Sequence, residues 1–318
     1  MTRILVSVQY SLLEMSTKAI ADVFRTLETP DLRVLTGIEL ALGSHAYPPI
    51  MDIRKYANLP LDEVRFRLNL LQKKGLLRRV SPDMIGYEGY SLNYSGYDCL
   101  ALNALVKAGA VDALGNPLGI GKESDVYEGL RGKRRVTLKF HRIGRISFRQ
   151  TRRTRGFVAS RSHTSWIYQS RLAAEREFQT LKLVHGYRVS VPLPIAHNRH
   201  VVVMGLVQGL ELNDVGTIDA PEIVLNNILL NIRKAYVRAK IVHGDLSEFN
   251  VMVRKNGKVL IIDWPQSIRA NHPNATDILR RDVEHVLKFF KRKFKTEYPI
   301  EQTLAYVMGQ LQQPQAAA

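Results

Sequence analysis

Residues 241–268 read IVHGDLSEFNVMVRKNGKVLIIDWPQSI. Asp245 sits in a tight polar loop after a long apolar segment, Asn250 follows five residues later, and Asp263 closes the apolar run VLII. Asn256-Gly257 stands between VMV and VLII. Two residues that tolerate positive φ between apolar runs predict a hairpin with a two-residue turn. That hairpin returns Asp263 towards Asn250, where a carboxylate and an amide oxygen can share a divalent cation. Asp245 is then left to face a hydroxyl or a water. A polar turn in a β-rich core could use the same residue types, but has no need of the five-residue Asp-to-Asn step.

Upstream lie the parts that phosphate chemistry needs. Leu118–Gly129, LGIGKESDVYEG, reads as strand, glycine turn, strand. Such a turn lets backbone N–H groups approach phosphate oxygens. It is neither a Walker A loop nor the G-x-G-x-x-G of protein kinases, because Glu123 and Ser124 stand where a third glycine would follow. Gly121, Lys122, Glu123 and Ser124 are its candidate phosphate contacts, Ser124 through its hydroxyl. Arg135–His141 is a strand on which Lys139 shares a face with Thr137 and can reach phosphates. A helix over Arg171–Val184 puts Glu177 with Ala173 and Ala174, as the partner for Lys139, with Glu175 as the surface competitor. The strand HVVVMGLV ends near Gly205 and Val207, whose backbone groups are expected to meet an adenine.

The N-terminal third is built differently. Helical spacing appears over residues 17–28 and 31–42, over Ile50–Asn58 and most strongly over Leu61–Lys74, which Gly75 caps. Leu76–Val80, a turn at Ser81-Pro82-Asp83 and Tyr87–Tyr94 then form a hairpin. This is the outline of a winged helix, whose second helix is expected to expose Arg65, Arg67, Lys73 and Lys74. The boundary is set at residue 95, giving a winged-helix domain over 1–95 and a second domain over 96–318. In the latter, a small lobe spans about 96–204 and a large lobe about 205–318, with long helices at Pro221–Lys240 and Thr276–Lys295.

Composition narrows the partners. The chain has 318 residues and a net charge of +17. Residues 129–174 hold thirteen Lys/Arg and no acid, whereas residues 1–95 hold twelve Lys/Arg against ten Asp/Glu. The excess is therefore one central stretch, read as a mobile loop over Arg142–Arg171 carrying Arg145, Ser147, Arg149, Arg152, Arg153 and Arg155. It favours polyanions, RNA above all. The single cysteine, Cys99, excludes a disulfide framework. No apolar run reaches the ~18 residues of a membrane span and no signal peptide is evident, so a cytoplasmic location and no membrane partner are expected.

Taken in order, GIGKESDVY, Lys139, Glu177, HGDLSEFN and IIDWPQS behind a winged helix resemble the RIO family of atypical serine/threonine kinases, specifically its winged-helix subfamily two. The resemblance implies an α+β architecture: a winged helix followed by a minimal bilobal protein-kinase-like domain. It implies ATP and Mg2+ (or Mn2+) as cofactors, Asp245 as catalytic base, and Asn250 and Asp263 as metal ligands. Lys139 becomes the phosphate lysine paired to Glu177, and Gly205 and Val207 the adenine hinge. It also implies ATPase activity with phosphoryl passed to Asp263 itself. The implied setting is a pre-30S/40S-type ribosomal particle, with small-subunit rRNA met through basic residues 131–155 and the winged helix. Gly244 stands where regulated kinases carry an arginine, and a helix signal resumes by Thr276, leaving no span for an activation loop. Two alternatives stay open: a small-molecule phosphotransferase of the aminoglycoside-kinase type, and a non-catalytic winged-helix RNA-binding assembly factor.

Overall fold

The computed structural model describes residues 17–144 and 159–313. They fall into two compact units, one over 17–103 with 159–167, the other over 104–144 with 168–313.

In the first unit, helices Thr29–Ala41, Ile50–Ala57 and Leu61–Lys73 precede an antiparallel pair, β1 (Leu77–Val80) and β2 (Gly89–Leu92), and a helix over Tyr94–Lys107. This is the expected winged helix. Asn58 ends its helix in the left-handed region at φ 51° and Gly75 does the same at φ 69°, so the chain reverses twice within a short span. At Gly37 a Cβ would lie 2.8 Å from the Ile53 carbonyl oxygen, which lets two helices approach closely. Val64, Leu68 and Leu71, at helical spacing, are fully buried.

Arg67 departs from expectation. Its side chain is 12% exposed and binds Glu63 at 2.8 Å, Glu28 at 2.7 Å and the buried Asp31 at 3.2 Å. Lys74 is also used internally, donating to the Thr26 carbonyl at 3.0 Å. Glu63, one helical turn before Arg67, is part of the reason that cation folds inward. Arg67→Ala, which strips Asp31 of its cation, is expected to destabilise this domain by about 2–3 kcal/mol. Arg65→Ala, at an exposed position, should stay within about 0.5 kcal/mol. Urea denaturation of the two variants checks the difference.

The second unit holds a five-stranded antiparallel sheet of order β3-β4-β5-β7-β6, from β3 (Ala113–Ile120), β4 (Ser124–Arg131), β5 (Arg134–His141), β6 (Pro194–Asn198) and β7 (Val201–Gly205). Short strands follow: β8 (Leu210–Glu211), β9 (Ile241–Val242), β10 (Val251–Val253), β11 (Val259–Ile261) and β12 (Ile268–Arg269). β9, β10 and β11 share one apolar core with the helices Pro221–Arg233, Ala275–Phe294 and Ile300–Val307. No helix among the described residues is long and apolar enough to cross a membrane.

Three local readings change. The hairpin pairs Val251 with Ile261 and Val253 with Val259, but its ladder ends where the Arg254 N–H meets the Lys258 carbonyl. Three residues lie between, and only Gly257 takes positive φ, at 71°: the three-residue loop with a left-handed glycine, not the two-residue turn. The helix expected from Arg171 already runs from Ala159 to Gly186; the rest of the segment read as a mobile loop, residues 145–158 with Arg145, Ser147, Arg149, Arg152, Arg153 and Arg155, lies outside the described residues. The helix expected over Pro221–Lys240 gives way at Lys234–Ala239 to a π-helical turn.

Candidate active site

Lys139 is the centre of the site. It lies on β5 within the run 136–141 that is buried on both faces, and its Nζ lies 2.9 Å from Glu177 Oε1 and 2.6 Å from Asp263 Oδ1. Glu177 is buried, whereas Glu175 is exposed, which settles the choice between them. Residues 139 and 141 share a strand face, so His141 also reaches Glu177, with Nε2 2.7 Å from Oε2. Burial pushes the Glu177 carboxyl up, but Lys139 and His141 outweigh it and hold it below the usual carboxylate range. Burial likewise pulls the Lys139 ammonium down, and Glu177 with Asp263 more than restores it, so it stays charged.

The hairpin does what its sequence suggested. The Ile262 N–H donates to the Asn250 carbonyl at 2.9 Å, bringing Asn250 beside Asp263. The Asn250 Nδ2 is committed to the Asp245 carbonyl at 2.7 Å, which leaves Oδ1 as its free donor atom to a cation. Asp263 takes φ 66°, a conformation costly for a non-glycine residue and held only where its surroundings fix it. Those surroundings are visible. Buried Trp264 donates from Nε1 to the Ile261 carbonyl at 3.1 Å, and the His243 ring lies 4.6 Å from the Trp264 ring. Asp245 is exposed, open to an incoming hydroxyl.

His243 and Asp282 hold the loop, and neither was singled out from sequence. His243 Nε2 meets the Ile262 carbonyl at 2.9 Å, while its Nδ1 accepts from the Asp245 N–H at 3.3 Å. Those roles require the neutral ring, and burial lowers its pKa accordingly. Buried Asp282 accepts from the Gly244 N–H at 2.8 Å and the Leu246 N–H at 3.2 Å. Its signal was present: Leu279, Asp282, Val283 and Val286 form one buried stripe of the Ala275–Phe294 helix, and Asp282 is the acid in it. Gly244 sits at φ 88°, with a Cβ position 2.4 Å from the Gln266 carbonyl oxygen, so no larger residue fits. Asp282→Ala, which leaves two buried N–H groups unpaired, is expected to lower kcat by about 10- to 100-fold, equivalent to the ~1–3 kcal/mol of unmade bonds. KM for ATP should change little, and steady-state phosphate release separates the two.

The remaining predicted residues are placed as follows. The glycine turn is closed by the Gly121 N–H donating to the Ser124 carbonyl at 2.8 Å and by the Arg142 N–H donating to the Glu123 carbonyl at 2.6 Å. Lys122 is exposed and Ser124, at the start of β4, half-buried. Buried Arg142 is itself fixed by Asp125 at 3.0 Å, a pairing the sequence did not disclose. At the hinge, the Gly205 N–H is taken by the Leu193 carbonyl at 2.8 Å, so Gly205 can offer an adenine only its carbonyl. Val207 follows the strand, half-buried.

Among the described residues no cluster of three or more His, Cys, Asp or Glu could hold a metal by itself. Asn250 and Asp263 supply two hard oxygen donors, which fits Mg2+, an ion that takes one or two protein carboxylates and completes its shell with phosphate and water.

Residues 125–303 match the RIO domain, and residues 24–108 match the Rio2 N-terminal domain. The serine/threonine-protein kinase rio2 of Schizosaccharomyces pombe is 38% identical over 272 residues, 85% of this chain and 78% of that protein. The RIO-type serine/threonine-protein kinase Rio2 of Methanocaldococcus jannaschii is 42% identical over 254 residues, 78% of this chain and 91% of that protein. The crystal structure of the Rio2 kinase–ADP/Mg2+–phosphoaspartate complex from Chaetomium thermophilum covers 93% of this chain and 90% of that chain, at 34% identity and a TM-score of 0.79.

Proposed function

The chain belongs to the RIO family of serine/threonine kinases, in its Rio2 branch, and from that premise we propose that it works as an ATP-driven switch in small ribosomal subunit maturation, with Asp263 as phosphoryl acceptor. It is an ATP- and magnesium-dependent kinase; the observation that carries the reading is Lys139 Nζ held between Glu177 and Asp263. The relative solved with ADP, Mg2+ and phosphoaspartate supports an acyl-phosphate here.

When bound, magnesium supplies charge neutralisation at the phosphates. The chain's own residues do the rest. Lys139, steered by Glu177, shifts its ammonium from Asp263 to the phosphates. The Asp263 carboxylate attacks the γ-phosphorus as the bond to the ADP oxygen breaks, giving an aspartyl-phosphate. Asp245, exposed and held at its own N–H by His243, orients the hydroxyl or water that finally takes the phosphoryl group. The particle is a pre-30S/40S-type one in the cytoplasm, and its rRNA is met by basic residues 131–155 and the winged helix. Exposed Arg78 and Arg79 on β1 serve the second contact better than Arg67, which is turned inward.

Single-turnover incubation with γ-labelled ATP, with and without small-subunit precursors, tests the reading. Hydroxylamine-labile label on the chain, with phosphate release altered by the particle, is expected. Hydroxylamine-stable label confined to a particle protein would replace the switch with a conventional serine kinase.

A further inference from the structure

Two segments without an acid meet at the end of the β9–β12 ladder away from the catalytic loop. Residues 223–244 carry Arg233, Lys234, Arg238 and Lys240, residues 264–276 carry Arg269, and neither contains Asp or Glu. Ile241 pairs with Arg269, and the Ala270 N–H donates to the Lys240 carbonyl at 2.9 Å. A cleft of about 530 Å3 opens there, lined by Tyr236, Lys240, Arg269, Ala270 and Asn271, in the size range of small-ligand sites.

The cations of this cleft differ from those of the neighbouring helix. On the Ala275–Phe294 helix, Arg280, Lys288, Lys291 and Arg292 are matched by Glu301, Glu284, Glu297 and Glu248. Lys240 and Arg269 are exposed and have no ion-pair partner among the described residues. Two like charges lining one cleft without a counter-charge favour an anion. The backbone is special too: Tyr236 lies in the π-helical turn and Lys240 is left-handed at φ 58°, and π turns concentrate at functional sites.

We infer that this cleft binds one nucleotide of a single-stranded RNA, its phosphate between Lys240 and Arg269 and its base against Tyr236. The inference rests on the RNA-partner reading above. A guanidinium fork suits a phosphodiester, while a half-buried aromatic ring beside an amide suits an unstacked base. An acidic peptide would use the two cations and leave Tyr236 and Asn271 without a role. β9 runs from the cleft straight into His243–Asp245, so an occupant sits at the far end of the ladder that carries the catalytic loop.

The test uses the full chain and a 4-thiouridine-bearing oligouridine decamer, with crosslinked peptides mapped and affinity followed by anisotropy. Crosslinks to the segment around Tyr236 are expected. Arg269→Glu should weaken binding about tenfold, whereas Lys255→Glu, an equal charge change on the exposed hairpin loop, should change it less than about twofold. Tyr236→Leu should weaken oligouridine but not inorganic polyphosphate. Circular dichroism and ATPase activity confirm that each variant is folded. Crosslinks confined to other segments, or equal losses for the two charge reversals, would overturn the site while leaving RNA binding intact. Poly-glutamate binding that depends on Arg269 but not Tyr236 would make this an acidic-peptide site instead. Failure of the parent chain to bind oligouridine would remove both the site and the RNA reading.

Discussion

Asp263→Ala is expected to abolish magnesium-dependent nucleotide binding and to lower phosphoryl transfer by about three orders of magnitude or more, beyond the loss from a single stabilising donor. The fold brings Asp263 beside Asn250 through the bond from the Ile262 N–H to the Asn250 carbonyl. Its backbone is also held at φ 66°, a left-handed conformation of the kind that clusters at active sites. The fold should survive, because Lys139 keeps Glu177 as a partner at 2.9 Å. Isothermal titration with ATP and Mg2+ should give the variant the affinity that the parent shows in EDTA, and the hydroxylamine-labile label should vanish. Asp245→Ala provides the contrast: it should lose transfer to an acceptor hydroxyl but bind nucleotide, since its exposed carboxylate makes no contact with Lys139. An Asp263→Ala chain that bound ATP and Mg2+ as tightly as the parent would sink the metal-site assignment.

Much of this site could be read from the sequence because its polar groups lie at fixed offsets on short, strongly patterned elements. VMV and VLII can only fold back on each other, and that alone brings Asp263 to Asn250. Lys139 could be read because a strand alternates, and Glu177 because helical spacing places it among alanines. What escaped has a common cause. His243 and Asp282 act through bonds to backbone atoms of other segments, and a sequence does not show which carbonyl or N–H will be left for a side chain to satisfy; Arg142 is held by a carboxylate on a neighbouring strand, a pairing that needs the sheet register. Arg67 was misread for a related reason: three acids reach it from Glu28, Asp31 and Glu63, two of them on the Thr29–Ala41 helix and its cap, whereas a helical wheel shows only its own helix. The hairpin loop was off by one residue because Asn-Gly also suits the longer turn, where glycine alone takes positive φ. The start of the Ala159–Gly186 helix was missed because its first two turns, rich in Ser and Thr, lack an apolar stripe.

Lys139→Met is expected to cost about 3–5 kcal/mol of stability at neutral pH, the range for removing one partner of a buried ion pair, as well as all transfer activity. The catalytic loss follows from the position of Nζ; the stability loss follows from what is left behind. Glu177 is 1% exposed, and without Lys139 only His141 faces its charge. The pH dependence separates this from a simple packing defect. In the parent, the Glu177 carboxyl is held below its ordinary pKa, so its contribution is fully present above the ordinary value of about 4.3 and is lost as pH falls through the folded value. In Lys139→Met the carboxyl is buried with less compensation, so its pKa moves upward and protonation relieves the variant early. The stability gap should therefore be widest at pH 7 and narrow as pH falls towards 4, as measured by urea midpoints. Lys139→Met with Glu177→Leu should recover most of the stability at pH 7 and none of the activity, because the charge to be compensated is gone while the phosphate ligand is still missing. A gap that stays constant from pH 7 to 4, or a double variant no more stable than the single one, would mean that the pair serves phosphate binding alone and that the fold does not depend on it.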